Sequence, residues 1–197
     1  VDISSDVNIC YSEHARRYLN ASNVAPQRTY VSGSPMAEVL HNNFEEIKNS
    51  NVFEVLNAKL AEQKLTVNDK QLKLEKGKYI LLSAHREENI DTEKNFNSLF
   101  NAINAMAKKY DMPILYSCHP RSRNRLVASG FKLDPRVIQH EPLGFHDYNC
   151  LQMNAFAVVS DSGTLPEESS FFISVGHSFP AVCIRTSTER PEALDKG

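Results

Sequence analysis

The sequence lacks the short motifs that mark several common kinds of site. No two cysteines form a C-x-x-C pair, so neither a zinc site nor a redox motif is expected. Neither a G-x-G-x-x-G pattern nor a P-loop occurs, which argues against NAD and ATP as ligands. The G-x-S-x-G elbow of many serine hydrolases is also absent. We therefore expect no resident metal and no cofactor.

The chain also lacks a strong charge excess and a long apolar run. Its 22 basic and 24 acidic residues give a net charge of −2, whereas a general nucleic-acid-binding protein carries a basic surface. No apolar run approaches the roughly 20 residues of a membrane-spanning helix. With 41% hydrophobic and 23% charged residues, the 197 residues are enough for one globular domain with its own core. We predict a cytoplasmic protein whose partners include neither nucleic acid nor membrane.

The sequence instead shows short apolar runs that alternate with helix-like segments. Strands are predicted over residues 7–11, 28–31, 79–84, 113–118, 137–140, 155–160 and 181–184. Helices are predicted over residues 13–20, 35–47, 51–64, 91–110, 121–129, 145–154, 163–172 and from about 190, with a polar, lysine-rich connection over 66–78. Nearly all-apolar strands are typical of a parallel sheet that is buried on both faces, so the predicted fold class is α/β with helices on both faces.

In such a sheet, ligands bind beyond the carboxyl ends of the strands, and the motif SDSGTLPEES follows one of these ends. Backbone N–H groups at the start of the next helix favour a phosphate, which Gly163 allows to approach closely. Ser162 and Thr164 add hydroxyl donors, and Glu168 lies one to two turns further on, within reach of ribose hydroxyls. The alternative is a simple helix cap in which Asp161 and Ser162 bind the first N–H groups.

Two other strand ends carry cationic side chains. In the motif SAHREEN, His85 and Arg86 are candidates to bind a pyrophosphate, because arginine offers a planar fork of donors. The alternative is a solvated loop with weak local salt bridges. In TSTERPE, Arg190 precedes a helix-starting proline and is a candidate to close on a diphosphate. The alternative there is a surface arginine next to a capped helix.

Two further motifs each hold a histidine or aromatic candidate. In CHPRSRNR, His119 at the strand end is the better candidate for the pocket, while one of Arg121 and Arg123 contacts phosphate or sugar. In PLGFHDY, an aromatic ring is a candidate to stack on a base. We expect Phe145 in the core and leave Tyr148 open.

In this order and at these separations, the motifs resemble the non-hydrolysing UDP-N-acetylglucosamine 2-epimerase family. The matching elements are SAHREEN, CHP, HEPLGFHDY, SDSGTLPEES and TSTERPEA, with ICYSEHARRYL and VSGSPMAEVL upstream. GSPM, CHPRSRNR and DSGT look closer to the branch that forms UDP-N-acetyl-L-fucosamine for capsule or O-antigen. One departure is Ile3, which stands where the family usually has a histidine.

The resemblance implies two Rossmann-like domains of the GT-B type with a UDP-sugar between them, residues 1–197 being the C-terminal domain. The two ends of the sequence also read as those of a segment trimmed from a longer protein. By the resemblance, Ser162 and Gly163 bind phosphate, Glu168 binds ribose and Arg190 binds diphosphate. Tyr148 lies beside the uracil.

The resemblance also implies a reaction, in which UDP is eliminated to leave a glycal and then added back. His85, next to the diphosphate or sugar, and His119 are the catalytic candidates in this chain. The main acidic residues are expected in the N-terminal domain, so the isolated segment is expected to be inactive and the full-length protein a homodimer. Two alternatives are half of a GT-B glycosyltransferase with the same UDP pocket and a nucleotide-sugar-binding module without chemistry.

Overall fold

The computed structural model describes residues 2–86, 89, 92–118, 120–185 and 190, with the backbone alone for residues 120 and 121. Its strands are β1 (Asn8–Cys10), β2 (Thr29–Val31), β3 (Thr66–Val67), β4 (Lys70–Gln71), β5 (Ile80–Ser83), β6 (Ile114–Ser117), β7 (Val137–His140), β8 (Ala157–Ser160) and β9 (Ala181–Cys183). Five of them form one parallel sheet in the order β7-β6-β5-β8-β9. The predicted parallel sheet is confirmed.

The α-helices in the described ranges are α1 (Glu13–Ala21), α2 (Pro35–Asn42), α3 (Phe44–Lys48), α4 (Val52–Glu62), α5 (Glu93–Tyr110), α6 (Pro120–Ser129), α7 (Phe145–Met153) and α8 (Leu165–Ser174). The single helix predicted over 35–47 is interrupted at Asn43, which ends α2 and begins α3. The helix predicted from about residue 190 lies outside the described residues, apart from Arg190. Within the described ranges, no helix combines the length and the apolar character needed to cross a bilayer.

Helices cover both faces of the five-stranded sheet because its strands carry apolar side chains on alternating sides. Leu81, Leu115 and Val158 point into a cluster with residues of α4, α7 and α8. Ile80 and Tyr116 point the other way, into a cluster with residues of α5. Each large buried side chain of this kind stabilises the fold by about 1.5–3 kcal/mol. The predicted helices on both faces are thereby confirmed.

The connection over residues 66–78 is more ordered than its polar composition predicts. β3 and β4 form a short antiparallel hairpin, and Leu72 and Leu74 are buried in the larger cluster. The Asn57 side chain donates to the Leu74 carbonyl at 3.0 Å and accepts from the Leu74 N–H at 2.8 Å. These two bonds satisfy the backbone of Leu74, which has no neighbouring strand. Local composition does not reveal this contact, because Asn57 lies 17 residues earlier in the chain.

Candidate functional site

A row of buried polar side chains crosses the carboxyl edge of the sheet. The parallel register places Ser83 next to Ser117 and Ser160, and Ser117 next to His140. All four side chains are at least nine-tenths buried. Each is the last residue of its strand, a signal that was available in the sequence but that the motif analysis did not use. The row identifies the polar edge of an otherwise apolar sheet.

The turn after β5 is fixed to the turn after β8 through Asp161. The backbone N–H groups of His85 and Arg86 donate to Asp161 Oδ2 at 2.9 and 2.8 Å, and Asn89 Nδ2 donates to the same oxygen at 3.0 Å. Arg86 Nε also donates to the Asp161 carbonyl at 2.9 Å. The Asp161 side chain therefore binds the neighbouring turn instead of capping α8, so that part of the capping alternative is wrong. The side chains of His85 and Arg86 remain exposed, so the alternative of a solvated loop stays open for them.

The SDSGT turn leads into α8, which begins at Leu165, two residues later than predicted. Ser162 Oγ lies 2.9 Å from Thr164 Oγ1 and accepts the Thr164 N–H at 3.3 Å. Ser160 Oγ accepts the Ser162 N–H at 3.0 Å. Gly163 lies half-buried between the two hydroxyl residues. The turn therefore places two hydroxyls and a glycine at the positive end of a helix of ten residues.

Glu168, on the first turns of α8, is 9% exposed and directed back towards the same turn. Its Oε1 accepts the Thr164 hydroxyl at 2.7 Å, and its Oε2 accepts Gln152 Nε2 at 2.8 Å. Gln152 lies on α7 and is 1% exposed, and it was not singled out from the sequence. A carboxylate can accept about four hydrogen bonds, so these two contacts orient it and leave capacity for a ligand.

Tyr148 is half-buried on α7 and packs against the larger apolar cluster. Burial raises the pKa of its phenol to about 12, opposed by the nearby hydroxyl of Ser83, with the Glu168 carboxylate raising it further. The phenol is therefore protonated at neutral pH. Phe145, expected in the core, is instead 41% exposed at the start of the same helix, so that expectation was wrong. The described elements around this end of α7 leave much of the ring open to solvent.

His140 is a buried imidazole that the sequence analysis did not select. Its Nδ1 lies 2.7 Å from the Glu141 carbonyl, so the ring donates its proton there. Its Nε2 has no hydrogen-bond partner among the described residues. Burial lowers the pKa of His140, the hydrogen bond to the Glu141 carbonyl opposes this, and the charges of Lys59 and His85 lower the pKa further. His119, the histidine favoured from the sequence, lies outside the described residues.

The Arg190 side chain contacts the first turn of α8. Its Nε donates to Glu167 Oε1 at 2.6 Å, and its guanidinium lies 5.7 Å from the centre of the Tyr11 ring. The side chain is only 17% exposed, so the alternative of a surface arginine is wrong. Of the other two arginine candidates, Arg123 forms a long, exposed ion pair with Glu141, which stabilises little. The side chain of Arg121 lies outside the described residues.

The structure therefore brings most of the predicted residues together around the amino end of α8. The backbone of His85 and Arg86 is hydrogen-bonded to Asp161, which lies just before this end. Ser162 to Thr164 form the turn that leads into the helix, and Glu167, the partner of Arg190, and Glu168 lie on its first turns. Among the described residues, no group of three or more histidine, cysteine, aspartate or glutamate side chains is arranged to hold a metal ion.

Comparison with known proteins assigns this chain to a family. A sequence model described as UDP-N-acetylglucosamine 2-epimerase matches residues 1–197. A UDP-N-acetylglucosamine 2-epimerase of Methanococcus maripaludis is 36% identical over 146 residues, which cover 72% of this chain and 38% of that protein. The structure of UDP-N-acetylglucosamine 2-epimerase from Rickettsia bellii has a TM-score of 0.80 and 35% identity, over 98% of this chain and 46% of that one.

A more distant structure shares the fold. The UDP-GlcNAc 2-epimerase of Methanocaldococcus jannaschii, solved in complex with UDP-GlcNAc and UDP, has a TM-score of 0.78 and 24% identity, over 98% of this chain and 49% of that one. The chain thus spans less than half the length of each relative named here. The family resemblance seen in the sequence motifs is confirmed: this chain belongs to the UDP-N-acetylglucosamine 2-epimerase family.

Proposed function

We propose that this chain is the UDP-binding, C-terminal domain of a UDP-N-acetylhexosamine 2-epimerase. The observation that carries the proposal is the meeting of three loops at the amino end of α8. The His85–Arg86 turn, the SDSGT turn and Arg190 all converge there. Backbone N–H groups, the helix dipole and two arginines favour an anion with two phosphates at this point.

The other parts of UDP have candidate partners on either side of that point. Glu168, oriented by Thr164 and Gln152, supplies carboxylate oxygens for the ribose hydroxyls. Tyr148 and the exposed ring of Phe145 lie on α7, on the side proposed for the uracil. Arg190 binds the diphosphate by sharing its donors between Glu167 and the phosphate oxygens. The family name of the relatives supports a UDP-linked amino sugar as the substrate.

The proposed reaction has two steps. A base removes the proton from C2 of the sugar, the C1–O bond breaks with its electron pair on UDP, and a C1=C2 double bond forms. UDP then adds back to C1 while a proton is delivered to the other face of C2. Negative charge develops on the departing diphosphate, so Arg86, Arg190 and the helix end stabilise the transition state. His85 lies at this edge as a candidate proton carrier, with His119 as a second candidate.

We further propose that residues preceding this segment in the whole protein complete the cleft. Within the described ranges, β1 and β2 form a two-stranded parallel pair, although parallel strands normally occur in larger, covered sheets. Ile9 is 67% exposed and Tyr30 58% exposed on this pair. Next to it lies an open cavity of about 590 Å³, lined in part by Tyr11 and Arg190 and of a size suited to a small-molecule ligand. An upstream domain that covers this face would also provide the acidic residues for the C2 proton.

The proposal also concerns which sugar the UDP carries. The GSPM, CHPRSRNR and DSGT motifs support a 6-deoxy substrate of the UDP-N-acetyl-L-fucosamine branch, and with it a cytoplasmic, homodimeric enzyme of capsule or O-antigen synthesis. Incubating the whole protein in deuterium oxide with each candidate UDP-sugar tests this. Deuterium at C2 is expected with the true substrate, whereas sugar transfer to an acceptor without C2 exchange would instead favour a glycosyltransferase.

Calorimetric titration of the chain with UDP, uridine and ADP tests the binding role directly. We expect UDP to bind more tightly than uridine, because the diphosphate contacts dominate. We also expect UDP to bind more tightly than ADP, because the part of the site proposed for the base, next to α7, is expected to fit a pyrimidine. Equal affinity for UDP and uridine would contradict the proposal.

A further inference from the structure

We infer that Asp161 and Asn89 are positioning residues that hold the three ligand loops of this domain in one arrangement without contacting the ligand themselves. The inference rests on the proposed function, because it concerns how the proposed diphosphate site is kept in shape. A small hydrogen-bond network joins the loops after β5, β8 and β9.

The Asp161 carboxylate is the centre of this network. It is 3% exposed, and its Oδ2 accepts three N–H groups, from the backbone of His85 and Arg86 and from the side chain of Asn89. The Asp161 backbone is held as well, because its N–H donates to the Ser83 carbonyl at 3.1 Å. A buried carboxylate is strongly unfavourable unless it is hydrogen-bonded, and here three N–H donors from the neighbouring turn bind its Oδ2.

Asn89 extends the network to the third loop. Its amide nitrogen donates to Asp161 Oδ2 and also to the Ile184 carbonyl, each at 3.0 Å. A side-chain amide has two N–H donors, so both are used in these two contacts. Ile184 follows β9 directly and begins the segment that leads to Arg190. One side chain therefore joins the loop that carries Arg86 to the loop that carries Arg190.

The position of the network separates this role from general stabilisation of the sheet. The ladder already pairs Ser83 with Ser160, and Ser160 with Cys183, up to the ends of the three strands. The Asp161 and Asn89 contacts lie beyond those last pairs, where the loops leave the sheet. A negative carboxylate next to a diphosphate site would also repel the ligand at close range. The N–H groups that it holds in place give this carboxylate a role that a contact with the ligand would not.

Removing the carboxylate is expected to loosen the turn and weaken UDP binding together. In Asp161→Ala, we expect the amide protons of His85 and Arg86 to exchange with solvent roughly tenfold faster or more, measured by NMR on the chain without ligand. We expect the affinity for UDP to fall by roughly tenfold or more, because the phosphate donors are no longer held in position. Asn89→Ala is expected to have a smaller effect of the same kind.

The conservative variant distinguishes positioning from a charged contact with the ligand. The amide oxygen of Asp161→Asn still accepts N–H groups from His85 and Arg86, so this variant is expected to recover most of the UDP affinity lost in Asp161→Ala. Asp134→Ala is the matched control. Asp134 is also a buried carboxylate that accepts a backbone N–H, at the amino end of β7, and its loss is expected to leave UDP affinity unchanged.

The two readouts separate failure of this inference from failure of the proposed function. If the unchanged chain does not bind UDP, the proposed function is wrong, and the exchange rates of the His85 and Arg86 amides still test the network. Unaltered exchange in Asp161→Ala would overturn the inference. So would an Asp161→Asn variant that keeps the slow exchange of these amides but binds UDP as poorly as Asp161→Ala, because UDP affinity would then not depend on holding the two N–H groups.

Discussion

Gln152 on α7 donates to Glu168 on α8 across a distance of 2.8 Å, in a place where both side chains are at least nine-tenths buried. This contact orients the carboxylate that we propose for the ribose. Replacing Gln152 with leucine removes the donor and leaves Glu168 buried with one partner fewer. We expect the free energy of unfolding to fall by about 1–3 kcal/mol, measured by urea denaturation.

The same variant also tests the link from packing to binding. We expect Gln152→Leu to bind UDP more weakly than the unchanged chain does, because Glu168 is no longer held towards the SDSGT turn. A loss of stability without any loss of UDP affinity would show that Gln152 supports only the packing of α7 on α8.

Glu168 is expected to bind the ribose hydroxyls and not the phosphates. The unchanged chain is expected to prefer UDP over 2′-deoxy-UDP, and Glu168→Gln to lose about 1 kcal/mol or more of UDP binding and much of that preference. Titration of both nucleotides with both proteins measures this. Glu75→Gln is the control, because Glu75 forms an exposed ion pair with Lys78 near the opposite edge of the sheet. A preference that survives in Glu168→Gln would assign ribose recognition to another residue.

Arg190 is expected to contribute to phosphate binding. Arg190→Ala is expected to weaken UDP binding by about 1 kcal/mol or more while leaving uridine binding nearly unchanged, because a charge-assisted hydrogen bond is lost. Arg136→Ala is the control, since the Arg136 guanidinium pairs with Asp111 and Asp134 at the other end of the sheet. Equal losses for UDP and uridine would place Arg190 outside the phosphate contacts.

His140 makes the stability of the fold depend on pH. Burial lowers the pKa of His140 below its ordinary value of 6.5, so the unfolded chain binds a proton more readily than the folded one does. Its contribution to the free energy of unfolding is therefore constant above about pH 6.5, falls as the pH drops below that value and levels off below the folded pKa.

Replacing His140 with asparagine is expected to flatten this part of the profile. Urea denaturation at about pH 7.5 and about pH 5.5 provides the comparison, with the other histidines contributing equally to both proteins. If the two proteins lose the same amount of stability between these pH values, His140 is not the group responsible.

The sequence was sufficient to predict the parallel sheet and the loop motifs that follow its strands, because both follow from local patterns. Alternating apolar strands and helices predict the layers, and a helix that begins after SDSGT predicts an anion site. The contacts between these residues were not predictable. Asp161 looks like a helix cap in the sequence, since its partners lie about 75 residues earlier in the chain. Gln152 and His140 look like ordinary helix and strand residues for the same reason.

The exposure of Phe145 and the order in the lysine-rich connection show a second limit. An aromatic residue next to a helix start is apolar enough for a core, but whether it is buried depends on which elements pack over that end. Leu72 and Leu74 lie in a polar stretch, yet Asn57 holds their backbone against the larger apolar cluster. In each case long-range packing, not local composition, determines the outcome.

A crystal structure of the chain with UDP tests the central claim most directly. The account predicts that the diphosphate lies at the amino end of α8, within hydrogen-bonding distance of the SDSGT turn and of Arg86 or Arg190. UDP bound on another face of the domain, or a diphosphate with no contact to that helix end, would contradict it.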